Sequence, residues 1–133
     1  MSHLVLIDSS AWIEYLRLGR GAASDAVDSL LQEDRAALCG MVEAEIIQGI
    51  HMINGLDTPE LRTVADLFVA LPYLEIERQD YIAAGECLGE LRRKGITIPS
   101  ADCLIGVLCL RHDLSLLTLD AHFDHLSDVK RFP

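Results

Sequence analysis

Short apolar runs that are typical of buried strands alternate along this chain with longer runs that have helical spacing. Apolar residues 4–7 are followed directly by a helix-like segment, residues 9–18, and apolar residues 36–39 are followed by another, residues 41–52. Strands that alternate with helices indicate a parallel sheet covered by helices on both faces. We therefore predict an α/β fold, with three layers (α/β/α) around a central, mainly parallel sheet of four to five strands.

The remaining segments continue the same alternation. Further helices are predicted over residues 24–34, from Thr58 toward Pro72, over residues 79–94 and from Pro99 to about residue 111; further strands are predicted over residues 73–76 and 115–119, with an edge strand over residues 129–132. With 133 residues, half of them apolar, we expect a single domain spanning residues 1–133.

Composition narrows the compartment and the partners. The longest uninterrupted apolar run, residues 103–110, is far shorter than the roughly 20 residues that cross a bilayer, and no secretory signal pattern is visible. The four cysteines lack CxxC spacing and lie in apolar surroundings, as expected of reduced, buried thiols in the cytoplasm. The net charge of −10 has the wrong sign for general attraction to nucleic acid.

Four acidic residues are predicted to meet at one edge of the sheet. Asp8 and Asp120 each follow a strand, Asp102 lies in the first turn of the helix that opens at Pro99, and Glu45 lies about one turn into the helix after the second strand. Right-handed crossovers bring the carboxyl ends of parallel strands to a single edge, where open α/β sheets bind ligands. We therefore expect these four carboxyl groups to converge.

Converging carboxylates repel one another unless a cation keeps them ionised. All-oxygen ligation favours Mg²⁺, with Mn²⁺ as the alternative, over zinc. The predicted ligands are Asp8, Asp102, Asp120 and Glu45. Thr118 is predicted to orient the Asp120 carboxylate, because it lies on the same strand face as Asp120. Ser10 is predicted to act similarly on Asp8, which it follows by two residues.

Each acidic residue also has a structural interpretation. Asp8, Asp102 and Asp120 could each cap a helix or complement its dipole. The spacing of apolar residues does not decide between Glu45 and Glu43, which lie on nearly opposite faces of one helix.

Two further clusters allow a functional and a structural interpretation. His122 and His125 could bind zinc, although a solvated terminal turn explains them better because no further ligands with structural-site spacing are visible. The basic residues 92–94 could contact RNA, but they also suit the negative end of a helix.

Four segments resemble the motifs of the PIN-domain ribonucleases, and more closely those of the VapC toxins of type II toxin–antitoxin systems. Residues 6–10 (Leu-Ile-Asp-Ser-Ser) resemble the opening motif, and residues 45–49 (Glu-Ile-Ile-Gln-Gly) are similar to the Glu-Leu-Leu-x-Gly segment. Residues 99–102 (Pro-Ser-Ala-Asp) resemble the third acidic motif, and residues 117–123 (Leu-Thr-Leu-Asp-Ala-His-Phe) resemble the terminal one. The resemblance covers essentially the whole chain and selects Glu45 over Glu43.

The resemblance implies a metal-dependent endoribonuclease toxin that hydrolyses RNA phosphodiester bonds with a carboxylate-bound Mg²⁺ or Mn²⁺. It also implies a cognate antitoxin related to VapB, whose basic C-terminal tail blocks the site, a homodimer, and binding of operator DNA only through the antitoxin. The acidic charge of the chain suits a basic antitoxin tail at least as well as it suits RNA.

Two alternatives to a nuclease fit parts of the pattern. A phosphoacceptor receiver domain is also a small α/β fold that binds Mg²⁺ with carboxylates, but it needs an acidic pair after the first strand and a lysine after the last, and Asp8 is followed by two serines. A non-catalytic PIN-like module that binds RNA or a partner would keep the fold without needing a metal.

Overall fold

Five short parallel strands form the central sheet of the computed structural model, which describes residues 3–54 and 59–133. Within this described part, the strands lie in the order β3-β2-β1-β4-β5, and every neighbouring pair is parallel. The predicted parallel α/β fold is therefore confirmed. The strands are β1 (Val5–Ile7), β2 (Ala36–Cys39), β3 (Tyr73–Leu74), β4 (Ser115–Leu117) and β5 (Lys130–Arg131).

Helices connect the strands as the alternating pattern predicts. The segment after β1 is a short α-helix that continues as a π-helical turn, Glu14–Leu18, and ends at Gly19, whose φ of 66° suits glycine. The predicted N-terminal residue of the fourth helix, Thr58, lies outside the described residues. The helices are α1 (Ser9–Ile13), α2 (Ala22–Gln32), α3 (Gly40–Asn54), α4 (Pro59–Val69), α5 (Arg78–Arg93) and α6 (Ser100–His112), and a 3-10 helix spans Ala121–His125.

Strand β1 lies at the point where the direction of the chain across the sheet reverses. From β1 the chain moves to β2 and then β3, whereas β4 pairs with the opposite side of β1. With right-handed crossovers, this reversal puts α1 to α4 on one face of the sheet and α5 with α6 on the other, in agreement with their mutual packing. The gap between the carboxyl ends of β1 and β4 is thus a topological switch point, where such sheets bind ligands.

The strand order also rules out the receiver-domain alternative. Receiver domains have the flavodoxin-like order 2-1-3-4-5. In this chain the second and third strands both lie on the same side of β1. The alternative is therefore wrong.

The core lies on both faces of the two central strands. Every residue of β1 and β2 is buried, which explains why their sequences are continuously apolar instead of alternating. On one face, Trp12 is fully buried and packs edge to face with Phe68, at 5.2 Å between ring centroids. On the other face, α5 and α6 enclose a smaller apolar cluster of Ala84, Leu91, Ile98, Cys103 and Leu104.

The structure moves the boundaries of two predicted elements. Strand β4 ends at Leu117 instead of residue 119, because the Leu119 amide donates to the Ser10 hydroxyl at 2.9 Å instead of continuing the sheet. Helix α2 begins two residues earlier than predicted, at Ala22, where the Glu14 carboxylate accepts a hydrogen bond from the Ser24 amide at 2.8 Å. A side chain distant in sequence therefore sets each of these boundaries.

The structure also bears on the cysteines and on the lengths of the apolar helices. All four cysteines are free, as predicted from their spacing. In the part of the chain that the structure describes, no helix combines the length and apolarity that a bilayer crossing requires.

An ion pair between a buried aspartate and a partly exposed arginine connects the start of α5 to the end of α6. The Asp80 side chain is 2% exposed, and its two oxygens accept hydrogen bonds from Arg111 Nε at 2.7 Å and Nη2 at 2.8 Å. Arg111 Nη2 also donates to the Glu75 carbonyl, and Asp80 Oδ2 accepts from the Glu77 amide. The Arg111 hydrogen bonds hold the pKa of Asp80 below its ordinary value. The pair fixes the position of α6, whose first turn carries Asp102.

Replacing Arg111 with methionine is expected to lower the free energy of unfolding by about 2–4 kcal/mol at pH 7, because Asp80 then stays buried without its cation. Since the folded-state pKa of Asp80 is lowered, the pair stabilises above the unfolded-state value of about 3.9, and this stabilisation disappears as the pH falls through the folded-state pKa. Urea unfolding at pH 7 and at pH 3 measures both effects.

Arg93→Met is the matched control, because the pair that Arg93 forms with Glu90 is exposed and its loss should cost less than about 1 kcal/mol. Equal stability of the Arg111→Met variant and the wild type at pH 7 would contradict a structural role for the pair.

Candidate active site

Asp8 lies immediately after β1, at the switch point of the sheet. Its amide donates to the Leu117 carbonyl at 2.9 Å, which extends the pairing of β1 with β4 by one step. The residue as a whole is 3% exposed. Although Asp8 occupies the N-cap position of α1, its side chain makes no capping hydrogen bond to that helix. Helix capping by its carboxylate therefore does not explain this residue.

Two hydroxyl groups fix the orientation of the Asp8 carboxylate. Ser10 Oγ lies 2.9 Å and Thr118 Oγ1 lies 2.7 Å from Asp8 Oδ2, and each donates to it. Each hydroxyl in turn accepts a hydrogen bond from a backbone amide: Leu119 N donates to Ser10, and Asp120 N donates to Thr118. Ser10 therefore makes the contact with Asp8 that the sequence predicted, whereas the Thr118 hydroxyl binds the Asp8 carboxylate instead of the predicted Asp120 carboxylate. Because Thr118 also accepts from the Asp120 amide, it connects Asp8 to the segment that carries Asp120.

Asp102 lies in the first turn of α6 and is 5% exposed. Its Oδ2 atom is buried and receives no hydrogen bond from the described residues. Burial, followed by the negative charges of Asp120 and Asp8, raises the pKa of Asp102 to about 6, while His122 acts in the opposite direction. A carboxylate of this kind lacks the compensation that a buried charge normally has.

Glu45 approaches the same place from α3. Its Oε1 atom is also buried without a hydrogen-bond partner among the described residues. Burial raises the pKa of Glu45, a hydrogen bond with Ser9 opposes that effect, and the charges of Asp8 and Asp120 add to it. The charge of Glu43, two positions away, instead raises the pKa of Tyr73, an exposed residue of the neighbouring strand β3. Tertiary position therefore favours Glu45 over Glu43, as the motif resemblance does.

Asp120 follows β4 and has two roles in the structure. Its Oδ1 atom accepts a hydrogen bond from the His122 amide at 2.9 Å, so the capping interpretation holds for the 3-10 helix. Its side chain also lies near the Asp102 carboxylate. Its charge raises the pKa of both Asp102 and Glu45. Capping and participation in the acidic group are thus compatible.

Sequence reasoning missed His122 as a member of this group. Its Nδ1 atom lies 3.0 Å from Asp120 Oδ1 and 3.2 Å from Asp102 Oδ2. His125, which was considered together with His122 as a zinc pair, instead lines a separate cavity with Cys87, Cys103 and neighbouring apolar side chains. The signal for His122 was its position two residues after Asp120, where a tight turn can fold a side chain back.

The donor set fits a divalent cation. Asp102, Asp120 and His122 each offer one ligand atom, and these atoms lie within 4.8 Å of one another. The two buried carboxylate oxygens that have no hydrogen-bond partner, on Asp102 and Glu45, belong to the same electrostatically coupled group. A cation would compensate both oxygens and relieve the repulsion that raises the pKa values.

Comparison with known proteins identifies relatives over nearly the entire chain. The PIN domain family model matches residues 5–129. The ribonuclease VapC11 of Mycobacterium tuberculosis is 35% identical over 130 residues, which are 95% of this chain and 93% of that protein. The VapC ribonuclease Mb1587 of Mycobacterium bovis shows the same identity and coverage.

Solved structures with the same fold include VapBC complexes. DNA-bound VapBC from Salmonella typhimurium matches with a TM-score of 0.82 at 17% identity and 98% coverage of each chain. VapBC2 from Rickettsia felis, bound to a DNA fragment from its promoter, matches with a TM-score of 0.79 at 17% identity and 97% coverage of each chain. These structures agree with the α/β/α architecture.

Asp102→Asn is expected to stabilise the metal-free protein by about 1–3 kcal/mol at pH 7.5, because it removes a buried charge beside other carboxylates. Since the folded-state pKa of Asp102 is raised to about 6, the wild type is destabilised above that pH, and the penalty vanishes below the unfolded-state value of about 3.9. Chemical denaturation in EDTA from pH 4 to pH 8 measures the difference. Asp66→Asn, at an exposed position on α4, should change stability by less than about 0.5 kcal/mol throughout. A pH-independent difference would contradict the expectation.

Thr118→Val is expected to weaken Mn²⁺ binding about 10–100-fold, because a ligand carboxylate loses one of the two hydroxyls that orient it. Thr118→Ser keeps the hydroxyl and should stay within about threefold of the wild type. Isothermal titration calorimetry measures both affinities. Wild-type affinity in the valine variant would show that the hydroxyl does not act on the metal site.

Proposed function

The chain belongs to the PIN-domain family, and on this premise we propose that it is the endoribonuclease toxin of a type II toxin–antitoxin system. The observation that carries the proposal is a pair of buried carboxyl oxygens, on Asp102 and Glu45, that have no hydrogen-bond partner among the described residues and lie near the switch point of the sheet. The identity to VapC ribonucleases over 95% of the chain supports RNA as the substrate. The proposed domain covers residues 1–133.

The proposed metal ligands and catalytic residues are Asp8, Asp102, Asp120 and Glu45, and the proposed ion is Mg²⁺ or Mn²⁺. Their support is the geometry at the edge of the sheet: Asp8 and Asp102 are buried, and the charges of Asp8 and Asp120 raise the pKa of both Asp102 and Glu45. Ser10 and Thr118 act through Asp8, since both donate to its Oδ2 atom. When bound, a divalent cation supplies Lewis acidity, which promotes deprotonation of water near neutral pH and neutralises charge on the phosphate oxygens.

The side chains divide the remaining work. Asp8 is held in one orientation by its two hydroxyl donors, so a ligand that binds it meets a preorganised carboxylate. Asp102 projects from a helix whose far end is anchored by the Asp80–Arg111 pair. Glu45 has a raised pKa, which suits a group that accepts a proton from water.

Direct hydrolysis is favoured over a covalent route through cysteine. Burial raises the pKa of Cys103 and of Cys109 to about 12, so their thiolate forms are scarce at neutral pH. Cysteine nucleophiles in enzymes have lowered pKa values instead.

The proposed partners are RNA, a VapB-like antitoxin with a basic C-terminal tail, and a second copy of the chain. The net charge of −10 favours a basic protein segment over the DNA backbone, so we assign operator DNA binding to the antitoxin alone. The VapBC complexes that share this fold support an antitoxin partner. We place the protein in the cytoplasm, where its RNA substrate and reduced thiols are both expected.

Replacing Asp8 or Asp102 with asparagine is expected to reduce RNA cleavage at least about 100-fold, because charge stabilisation of the reaction depends on the bound cation. Cleavage of a fluorogenic RNA with Mg²⁺ or Mn²⁺, and its loss in EDTA, is the measurement. Glu45→Gln should lose activity, whereas Glu43→Gln, two positions away on α3, should keep it. Full activity of either asparagine variant, with its fold verified by thermal unfolding, would contradict the assignment and favour the non-catalytic module.

A further inference from the structure

The side chain of His122 lies against the acidic group although most of its 3-10 helix does not. The His122 amide binds Asp120 Oδ1 at 2.9 Å, and the same turn brings Nδ1 within 3.0 Å of that oxygen. His125, three residues later on the same short helix, lines the separate cavity beside α6. The two histidines are therefore in different environments. The interpretation of both as residues of a solvated turn does not explain the position of the His122 ring.

The approach of His122 to Asp102 is close without being a hydrogen bond. Nδ1 lies 3.2 Å from Asp102 Oδ2, yet this buried oxygen receives no hydrogen bond from the described residues. An unprotonated Nδ1 atom and a carboxylate oxygen repel each other at this distance, and a cation that binds both atoms would remove the repulsion. About half of the His122 side chain is exposed to solvent, so water could reach a cation bound at Nδ1.

The spacing of the donor atoms matches adjacent corners of one coordination sphere. Donors bound at about 2.1 Å in octahedral geometry lie about 3.0 Å apart when they occupy neighbouring positions. The observed separations from Nδ1 are 3.0 Å to Asp120 Oδ1 and 3.2 Å to Asp102 Oδ2. All three ligand atoms lie within 4.8 Å of one another, so a single ion can contact them together.

We propose that His122 Nδ1 is a nitrogen ligand of the metal site and makes the site favour Mn²⁺ and later first-row metals over Mg²⁺. Imidazole nitrogen suits transition metals, whereas carboxylate and water suit Mg²⁺, so adding one nitrogen shifts selectivity without changing the carboxylates. The proposal rests on the metal site of the proposed function and identifies a ligand and a metal preference for it.

Electron paramagnetic resonance of Mn²⁺ bound to the tag-free protein tests this directly. A pulsed experiment on the wild type is expected to show coupling to a directly bonded ¹⁴N nucleus, and His122→Asn is expected to lose it. His125→Asn, which changes the other histidine of the same helix, should keep the coupling. Mn²⁺ bound to the wild type without nitrogen coupling would overturn the proposal, and this outcome does not depend on whether the His122 variant folds.

Calorimetric titration of the same proteins with Mn²⁺ and with Mg²⁺ tests the selectivity. In His122→Asn, whose amide oxygen is a hard donor, the ratio of Mn²⁺ affinity to Mg²⁺ affinity should fall at least about tenfold, and in His125→Asn it should not change. An unchanged ratio in a folded His122→Asn variant would overturn the selectivity claim.

RNA cleavage by the same preparations separates this inference from the proposed function. Nitrogen coupling in a wild type that fails to cleave RNA would contradict the nuclease assignment and leave the His122 ligand supported. Cleavage with bound Mn²⁺ that lacks nitrogen coupling would overturn the His122 ligand alone.

Discussion

Repulsion among buried carboxyl groups is the constraint on which the rest of this structure depends. The sheet brings Asp8 and Asp120 together at its switch point, and two neighbouring helices add Asp102 and Glu45. Burial removes the water that would otherwise screen these charges, so the pKa of Asp102 rises to about 6 and that of Glu45 also rises. A fold that holds such a group without a cation gives up stability at neutral pH. This is the arrangement expected where binding a cation is the function.

The surrounding contacts keep the group in place against that repulsion. Ser10 and Thr118 bind one oxygen of Asp8 and also bind the backbone that leads to Asp120, so the two strand ends move as one unit. Arg111 anchors the far end of the helix that carries Asp102. Two hydroxyl groups and an ion pair with a buried carboxylate thus position groups that would otherwise separate.

The acidic charge of the whole chain acts at a longer range. A net charge of −10 disfavours phosphate backbones in general, so RNA, the proposed substrate, would have to be bound by local contacts and by the proposed cation. The same charge attracts a basic peptide, which would favour binding of the proposed basic antitoxin tail. The overall charge would therefore favour binding of the proposed inhibitor and disfavour binding of the proposed substrate, apart from the contacts that each makes at the site.

The sequence by itself determined the class of fold and the edge at which the acidic residues meet. Strand-like and helix-like runs differ in hydrophobic period, and parallel strands share the direction of their carboxyl ends, so the sheet and the placement of Asp8, Asp102 and Asp120 could be derived from local patterns. Motif resemblance added Glu45 where periodicity left Glu43 open. Only the tertiary structure decided the strand order, which excludes the receiver fold, and the early end of β4, which a hydrogen bond to Ser10 causes. Only it brought the ring of His122 against two carboxylates. These features depend on contacts between residues far apart in the chain, and a local sequence pattern carries no information about the direction in which a side chain of a short turn finally points.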